Sequence, residues 1–319
     1  MVKQRLVDID VVVGIAIALV VYGHLKYEDI ANLTWYSKSR DIVYKFHMPL
    51  FMFFSGFLMG ISYKPLDNFK SYLKFIKKKA NKFIPAFLFF SIVFTALEYI
   101  AHRDTIKPLK ETVIDILLRP SKSYAGFLWY IYLIFQFYII LPLLSKFVKN
   151  YILIMLPLAI FLNFFEFSNL FNFDLFSFYF LFVVLGLYSS QNLTIYYKLV
   201  NKIGLIMVIA FLSFIIICFW YNIPKTVFGL VSIPAIHFIS IKVGSPFKSV
   251  ISEIGKYSYY IYLLNSLITG VIFVILKQVL KIEITSLYIL ILFPLGLFLP
   301  LILFKRVIKK TPIINKIIK

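Results

Sequence analysis

Apolar segments long enough to cross a bilayer dominate this chain. Windows of about 19 residues pick out ten of them, at 7–25, 43–63, 83–102, 125–146, 151–167, 173–189, 204–221, 224–243, 257–276 and 284–304. A hydrocarbon core about 30 Å thick needs roughly 20 helical residues to span it. No water is available there to pair backbone N–H and C=O groups, so a spanning segment of this length must close its hydrogen bonds within itself, as a helix. Hydrophobic residues make up 61% of the sequence, against roughly 45–50% in a soluble domain. The expected fold class is all-α, a polytopic membrane bundle of about ten helices. No repeat of fixed period or low-complexity linker divides the chain, so residues 1–319 read as a single transmembrane domain. The single cysteine, Cys218, lies inside an apolar run, which excludes a disulfide framework and a cysteine metal site.

The formal charge of +20 would suggest nucleic acid in a soluble protein. Here its distribution matters more. If the first span begins in the cytoplasm, 22 of the 34 basic residues and only 4 of the 14 acids fall on the cytoplasmic side. That asymmetry follows the positive-inside rule and predicts an N-in, C-in topology; ten spans return both ends to one side. The basicity thus reports topology, with the lipid bilayer as partner and no nucleic acid. The first apolar run carries no small-residue cleavage site after it and reads as retained. The Lys, Ile, Phe and Asn bias points to an AT-rich bacterial genome, hence a multi-pass protein of the bacterial inner membrane. Two polar stretches stand out. Residues 64–82 are dense in lysine, and residues 103–124 contain Glu111–Leu118, whose apolar spacing predicts a short amphipathic helix on the outer surface.

Ionisable residues in such spans are functional-site candidates by default. His24 ends the first apolar run, and His47 lies near the same end of the second, in Phe46-His47-Met48-Pro49-Leu50-Phe51. Two histidines at the same end of consecutive spans suggest a shared site. Imidazole is suited to act as a base near neutral pH; either histidine could instead be an interfacial residue hydrogen-bonded to a neighbouring helix. Asp10 precedes His24 by fourteen residues, about 21 Å along a helix, so it cannot orient His24 directly. It is either functional or a charge favoured at a helix N-terminus.

These residues carry a family resemblance. Asp10-x-x-x-Gly14-Ile15-Ala16-Ile17-x-Leu19-Val20-Val21-x-Gly23-His24 resembles the first-helix signature of the acyltransferase 3 family. Phe46-His47-Met48-Pro49-Leu50-Phe51 with Ser55-Gly56-Phe57 is similar to the second, in wording close to the fucose 4-O-acetylase-like branch. Lys78-Lys79-Ala80-Asn81-Lys82-Phe83-Ile84-Pro85, Leu128-Trp129-Tyr130 through Leu141-Pro142-Leu143, and Ile254-Gly255-Lys256-Tyr257-Ser258-Tyr259-Tyr260-Ile261-Tyr262-Leu263-Leu264 resemble later segments. The resemblance implies a membrane enzyme that moves an acyl group, commonly acetyl from acetyl-CoA, onto a sugar hydroxyl of an extracytoplasmic or lipid-linked glycan, with the first-helix histidine catalytic. The sequence departs from the pattern at Val13, where a basic residue is usual, in a basic segment made of Lys alone, and at Asn265, where His is frequent.

On this basis His24 and His47 are the expected catalytic residues. His24 is the general base, and His47 orients it, holds substrate or binds the developing oxyanion. Asp10, Lys79 and Lys82 are the expected donor contacts, although lysines at a cytoplasmic boundary also serve as anchors to anionic lipid. Glu98, four positions before His102, and Trp129 are expected at the sugar, each with a plain interfacial role as the alternative. His237 reads as a polar packing residue or part of a pore, and Ser55-Gly56 as close helix packing. No metal-ligand spacing is present, so no metal and no permanently bound cofactor are expected, only acyl-CoA as donor substrate and a glycan acceptor. A cytoplasmic donor and a base near the outer face predict a path for the acyl-pantetheine arm through the bundle. The competing reading is a transporter or flippase for a lipid-linked sugar, supported by the polar interruptions Asn163, Glu166, Asn169 and Asn172, since broken helices mark transport sites.

Overall fold

The structure is a computed structural model that describes residues 6–25, 27, 30, 32–62, 68–101, 106–147, 151–282, 285–312 and 317–318, the side chains of 144–147 and 151 excepted. All regular structure among them is helical. The helices are α1 Val7–His24, α2 Thr34–Ser62, α3 Phe69–Ala101, α4 Leu109–Leu118, α5 Trp129–Phe147, α6 Tyr151–Leu162, α7 Phe173–Gln191, α8 Leu193–Ile217, α9 Lys225–Lys242, α10 Ser245–Lys256, α11 Ser258–Val274 and α12 Thr285–Arg306. A single π-type turn, Ile275–Val279, prolongs α11. Among the described residues nine helices are long and apolar enough to cross a membrane, as an all-α polytopic bundle requires.

Three helix starts and one span differ from the sequence expectation, α8 beginning eleven residues before its apolar run. Helix α2 starts nine residues before its apolar run, and α3 starts fourteen residues before its own. The lysine-dense stretch is therefore helical from Phe69 onward. The fifth apolar segment shortens to the 12-residue α6, which stops at Leu162 beside Asn163. The chain then turns through Phe171 and Asn172, both at left-handed φ of 55° and 52°. Asn tolerates that conformation, whereas a bulky Phe is strained there. Asn172 is fixed in place by Ser121, whose backbone N–H and hydroxyl both donate to its Oδ1 (3.2 and 2.9 Å).

The Cα trace falls into two compact units. The first, residues 1–60 and 186–310, is built around α1, which packs against α9, α10, α11 and α12. Ile9, Val12, Ala16, Ile17, Val20 and Val21 of α1 are buried; a helix apolar all round belongs in a core. The second unit, residues 61–185 and 311–319, holds α3 to α6 and most of α7. Its core includes the ring ladder Phe137–Phe176–Phe180, with centroids 4.7 and 5.5 Å apart. Helix α4 is the short amphipathic helix expected, with its polar side turned inward. Thr112 and Asp115 are buried, while Leu109, Val113 and Leu117, four residues apart, are exposed. Asp115 is held by Lys107 and Arg119, each at 2.7 Å.

Candidate functional site

The last turn of α1 carries His24. A helix end leaves backbone carbonyls without intrahelical donors, and here two tyrosines of α2 supply them. The Tyr36 hydroxyl donates to Tyr22 O (2.6 Å) and the Tyr44 hydroxyl to Gly23 O (3.0 Å). The end of α1 is thus fixed through its backbone rather than through the side chain at position 24.

The His24 side chain, half-buried, meets α11. Its Nδ1 lies 3.3 Å from Asn265 Oδ1 and 3.4 Å from Ser266 Oγ. Asn265 is fully buried; its Nδ2 donates to the carbonyls of Ile261 (2.9 Å) and Tyr262 (2.8 Å). One turn further along, Thr269 Oγ1 donates to Asn265 O (2.8 Å) and accepts from the Tyr27 hydroxyl (2.9 Å). Tyr27 stacks on Phe273 with centroids 4.1 Å apart. Burial pushes its phenol up to about 12, so it is a hydrogen-bond donor at physiological pH. Positions 265, 266 and 269 share one helix face, which is how α11 lines up three polar side chains against the end of α1.

His47 is buried in α2. Its Nδ1 donates to Val43 O (2.7 Å) and its ring stands edge-on to Tyr44, centroids 4.9 Å apart. Tyr44 in turn holds Gly23, so the structure links the two histidines through one tyrosine. Asp10 is buried near the start of α1. At 100° per residue it sits about 40° from His24 around the helix and about 21 Å away along it. Val13, Ile17 and Val20 line the surface between them and are buried. Two apolar cavities of about 500 and 410 Å³ flank α1. They open on Gly14, Ile15, Ala18, Leu19 and Tyr22, which point at least about 80° away from His24. Both cavities therefore lie off the face of α1 that carries His24.

The other expected residues belong to the second unit. Lys79 Nζ sits 3.6 Å over the Tyr138 ring, while Lys82 is exposed one turn on, 5.9 Å from the Phe83 ring. Trp129 opens α5 and stacks on Tyr179 (5.2 Å). Glu98 is half-buried on α3, and His102 lies outside the described residues.

Sequence reasoning missed a polar cluster at the start of α1. Asp8 Oδ2 accepts from the Tyr197 hydroxyl (2.6 Å) and from His237 Nε2 (2.9 Å), and His237 Nδ1 lies 2.8 Å from the Tyr196 hydroxyl. The cluster joins α1, α8 and α9, with His237 fully buried. An acid and a histidine in separate apolar spans are the signal that could have found it, since such groups pair with one another. Replacing His237 by Ala leaves a half-buried carboxylate short of its main partner. The expected cost is about 3 kcal/mol, the lower end for breaking a buried pair, read as a lower Tm of the purified protein in detergent.

The acyltransferase domain of the acyltransferase 3 family matches residues 6–305. Nodulation protein NolL of Mesorhizobium japonicum (strain LMG 29417 / CECT 9101 / MAFF 303099) is 30% identical over 148 residues, which is 46% of this chain and 37% of that protein. The chain thus spans well under half the length of that curated relative. No solved structure matches it. With the family match running over nearly the whole chain and nine membrane-length helices among the described residues, this multi-pass membrane protein belongs to the acyltransferase 3 family.

Proposed function

We propose that the chain is an O-acyltransferase of the bacterial inner membrane that moves an acetyl or other acyl group from acyl-CoA to a sugar hydroxyl of a surface polysaccharide or lipid-linked glycan. The observation that carries this reading is His24, a half-buried imidazole braced at a helix end in a member of an acyltransferase family. The acceptor hydroxyl oxygen attacks the thioester carbonyl carbon while His24 takes the hydroxyl proton. The C–S bond then breaks, and the imidazolium returns the proton to the leaving thiolate. The products are the sugar ester and free CoA thiol, with no net proton gained or lost. His47 supports the base indirectly, through Tyr44 and the α1 end. Lys79 and Lys82 take the donor phosphates from the lysine-dense part of α3, where Lys74, Lys77 and Lys78 are exposed. Asp10 marks the donor side of α1, with α1 entering from the cytoplasm. Trp129 and Glu98 face the acceptor. The wording of the second-helix phrase favours the fucose 4-O-acetylase-like branch.

The test uses membranes carrying the full chain, given acetyl-CoA and the host's surface glycan. The expected result is chain-dependent release of free CoA thiol, matched by alkali-labile acetyl on the glycan by NMR. Unmodified glycan with altered export would instead place the chain among transporters and overturn the reading.

A further inference from the structure

We infer that Asn265 is a positioning residue that holds His24 in the tautomer with its proton on Nδ1 and its lone pair on Nε2. This rests on the reading of His24 as the base. The argument starts from the carboxamide, whose two ends differ in what they can bind. Backbone carbonyls only accept, so the end of Asn265 facing Ile261 O and Tyr262 O, at 2.9 and 2.8 Å, is its NH2 group. The opposite end, turned to His24 Nδ1 at 3.3 Å, is therefore the acceptor oxygen. Ser266 Oγ, 3.3 Å from the same oxygen, donates to it as well; a carbonyl oxygen has two lone pairs and accommodates both donors. An unprotonated Nδ1 in this place would set its lone pair against that of Asn265 Oδ1, and the Ser266 hydroxyl, 3.4 Å from Nδ1, has its one proton on that same oxygen. A protonated Nδ1 completes the network, and in a neutral imidazole it leaves Nε2 as the basic nitrogen. Selecting a tautomer through the far nitrogen is the task of the third member in Ser-His-Asp and Cys-His-Asn constellations. A carboxamide performs it here without burying a second charge, which a fully enclosed carboxylate would bring at a high desolvation cost.

The arrangement also accounts for why the orientation holds. The NH2 group of Asn265 bonds carbonyls three and four residues back in its own helix, so rotating the amide would break both bonds and bring oxygen against oxygen. Thr269, bonded to Asn265 O and to Tyr27, ties the same turn of α11 to the segment that follows α1.

The experiment labels the four histidines of the full chain with 15N, in detergent or nanodiscs, and assigns His24 by its loss in His24→Gln. At a pH where His24 is neutral, the expected wild-type spectrum shows a protonated Nδ1 and an unprotonated Nε2. Asn265→Ala removes the acceptor but leaves the helical backbone bonds of Ile261 and Tyr262. It is expected to move His24 toward the Nε2–H tautomer that free imidazole side chains prefer. It should also lower kcat for acyl transfer by about 10²–10⁴-fold, with KM for acetyl-CoA within about two-fold of wild type. Ser266→Ala is expected to keep the wild-type tautomer. An unprotonated Nδ1 in the wild type, a tautomer unchanged in Asn265→Ala, or one that changes without loss of kcat overturns the inference. Loss of the tautomer in Ser266→Ala alone would move the role to Ser266. If His24→Gln still transfers acyl groups, the proposed function fails, while the spectra still decide the role of Asn265.

Discussion

His24→Ala is expected to lower acyl transfer by at least about 10³-fold, within the range that a positioned general base supplies. Without imidazole, the acceptor hydroxyl would have to lose its proton to water or attack while still carrying it. What remains is the orientation of donor and acceptor, so KM for acyl-CoA should change little. The fold should survive. His24 is half-buried, and the α1 terminus is held by Tyr36 and Tyr44 on backbone oxygens that the substitution leaves in place. The thermal midpoint of the purified variant is the control, and a loss of about 1 kcal/mol is expected, that of one hydrogen bond to the buried Asn265. Thiol release from acetyl-CoA in reconstituted membranes, measured at equal protein level, gives the rate. Activity within ten-fold of wild type would move the base elsewhere and remove the proposed mechanism.

His24 was legible because an ionisable side chain ending an apolar run is conspicuous in one dimension. Its partner was not. Asn265 is 241 positions away and reads in sequence only as a departure from a pattern; the fold turns that departure into an acceptor for the base. Asp8 and His237, 229 positions apart, show the same limit, since each alone resembles an ordinary boundary or packing residue. The helices were legible wherever hydrocarbon thickness set their length. They were misjudged where it did not. Thr34–Asp41 and Phe69–Lys82 are too polar for a hydropathy window, yet helix propagation carries α2 and α3 through them. The fifth segment failed in the opposite sense, being apolar enough to count as a span while the helix ends early, at a turn over Asn163, Phe164 and Phe165.

A loss of stability as large as that of His237→Ala is expected from Gly255→Ala, because α1 and α10 touch backbone to backbone. A Cβ on Gly255 would stand 1.8 Å from Asp10 O and 2.9 Å from Gly14 N, and one on Gly14 would stand 2.1 Å from Ile251 O. The pairs are reciprocal, with Asp10 and Gly14 four apart on one helix and Ile251 and Gly255 four apart on the other, so a single crossing point depends on both glycines. Small residues permit such approach between membrane helices. Side chains can rotate away from an added methyl group, whereas a carbonyl in a helical ladder cannot, so the helices must separate. Helix α1 also packs against α9, α11 and α12, so a shift away from α10 would disturb those contacts as well. The expected cost is about 3 kcal/mol, the upper part of the range for overpacking, seen as a Tm well below wild type or as loss of folded protein from detergent extracts. Gly244→Ala is the matched control, since a Cβ there meets nothing within 4 Å, and it should melt like wild type. Equal stability of the two variants would mean that α1 and α10 are not in backbone contact.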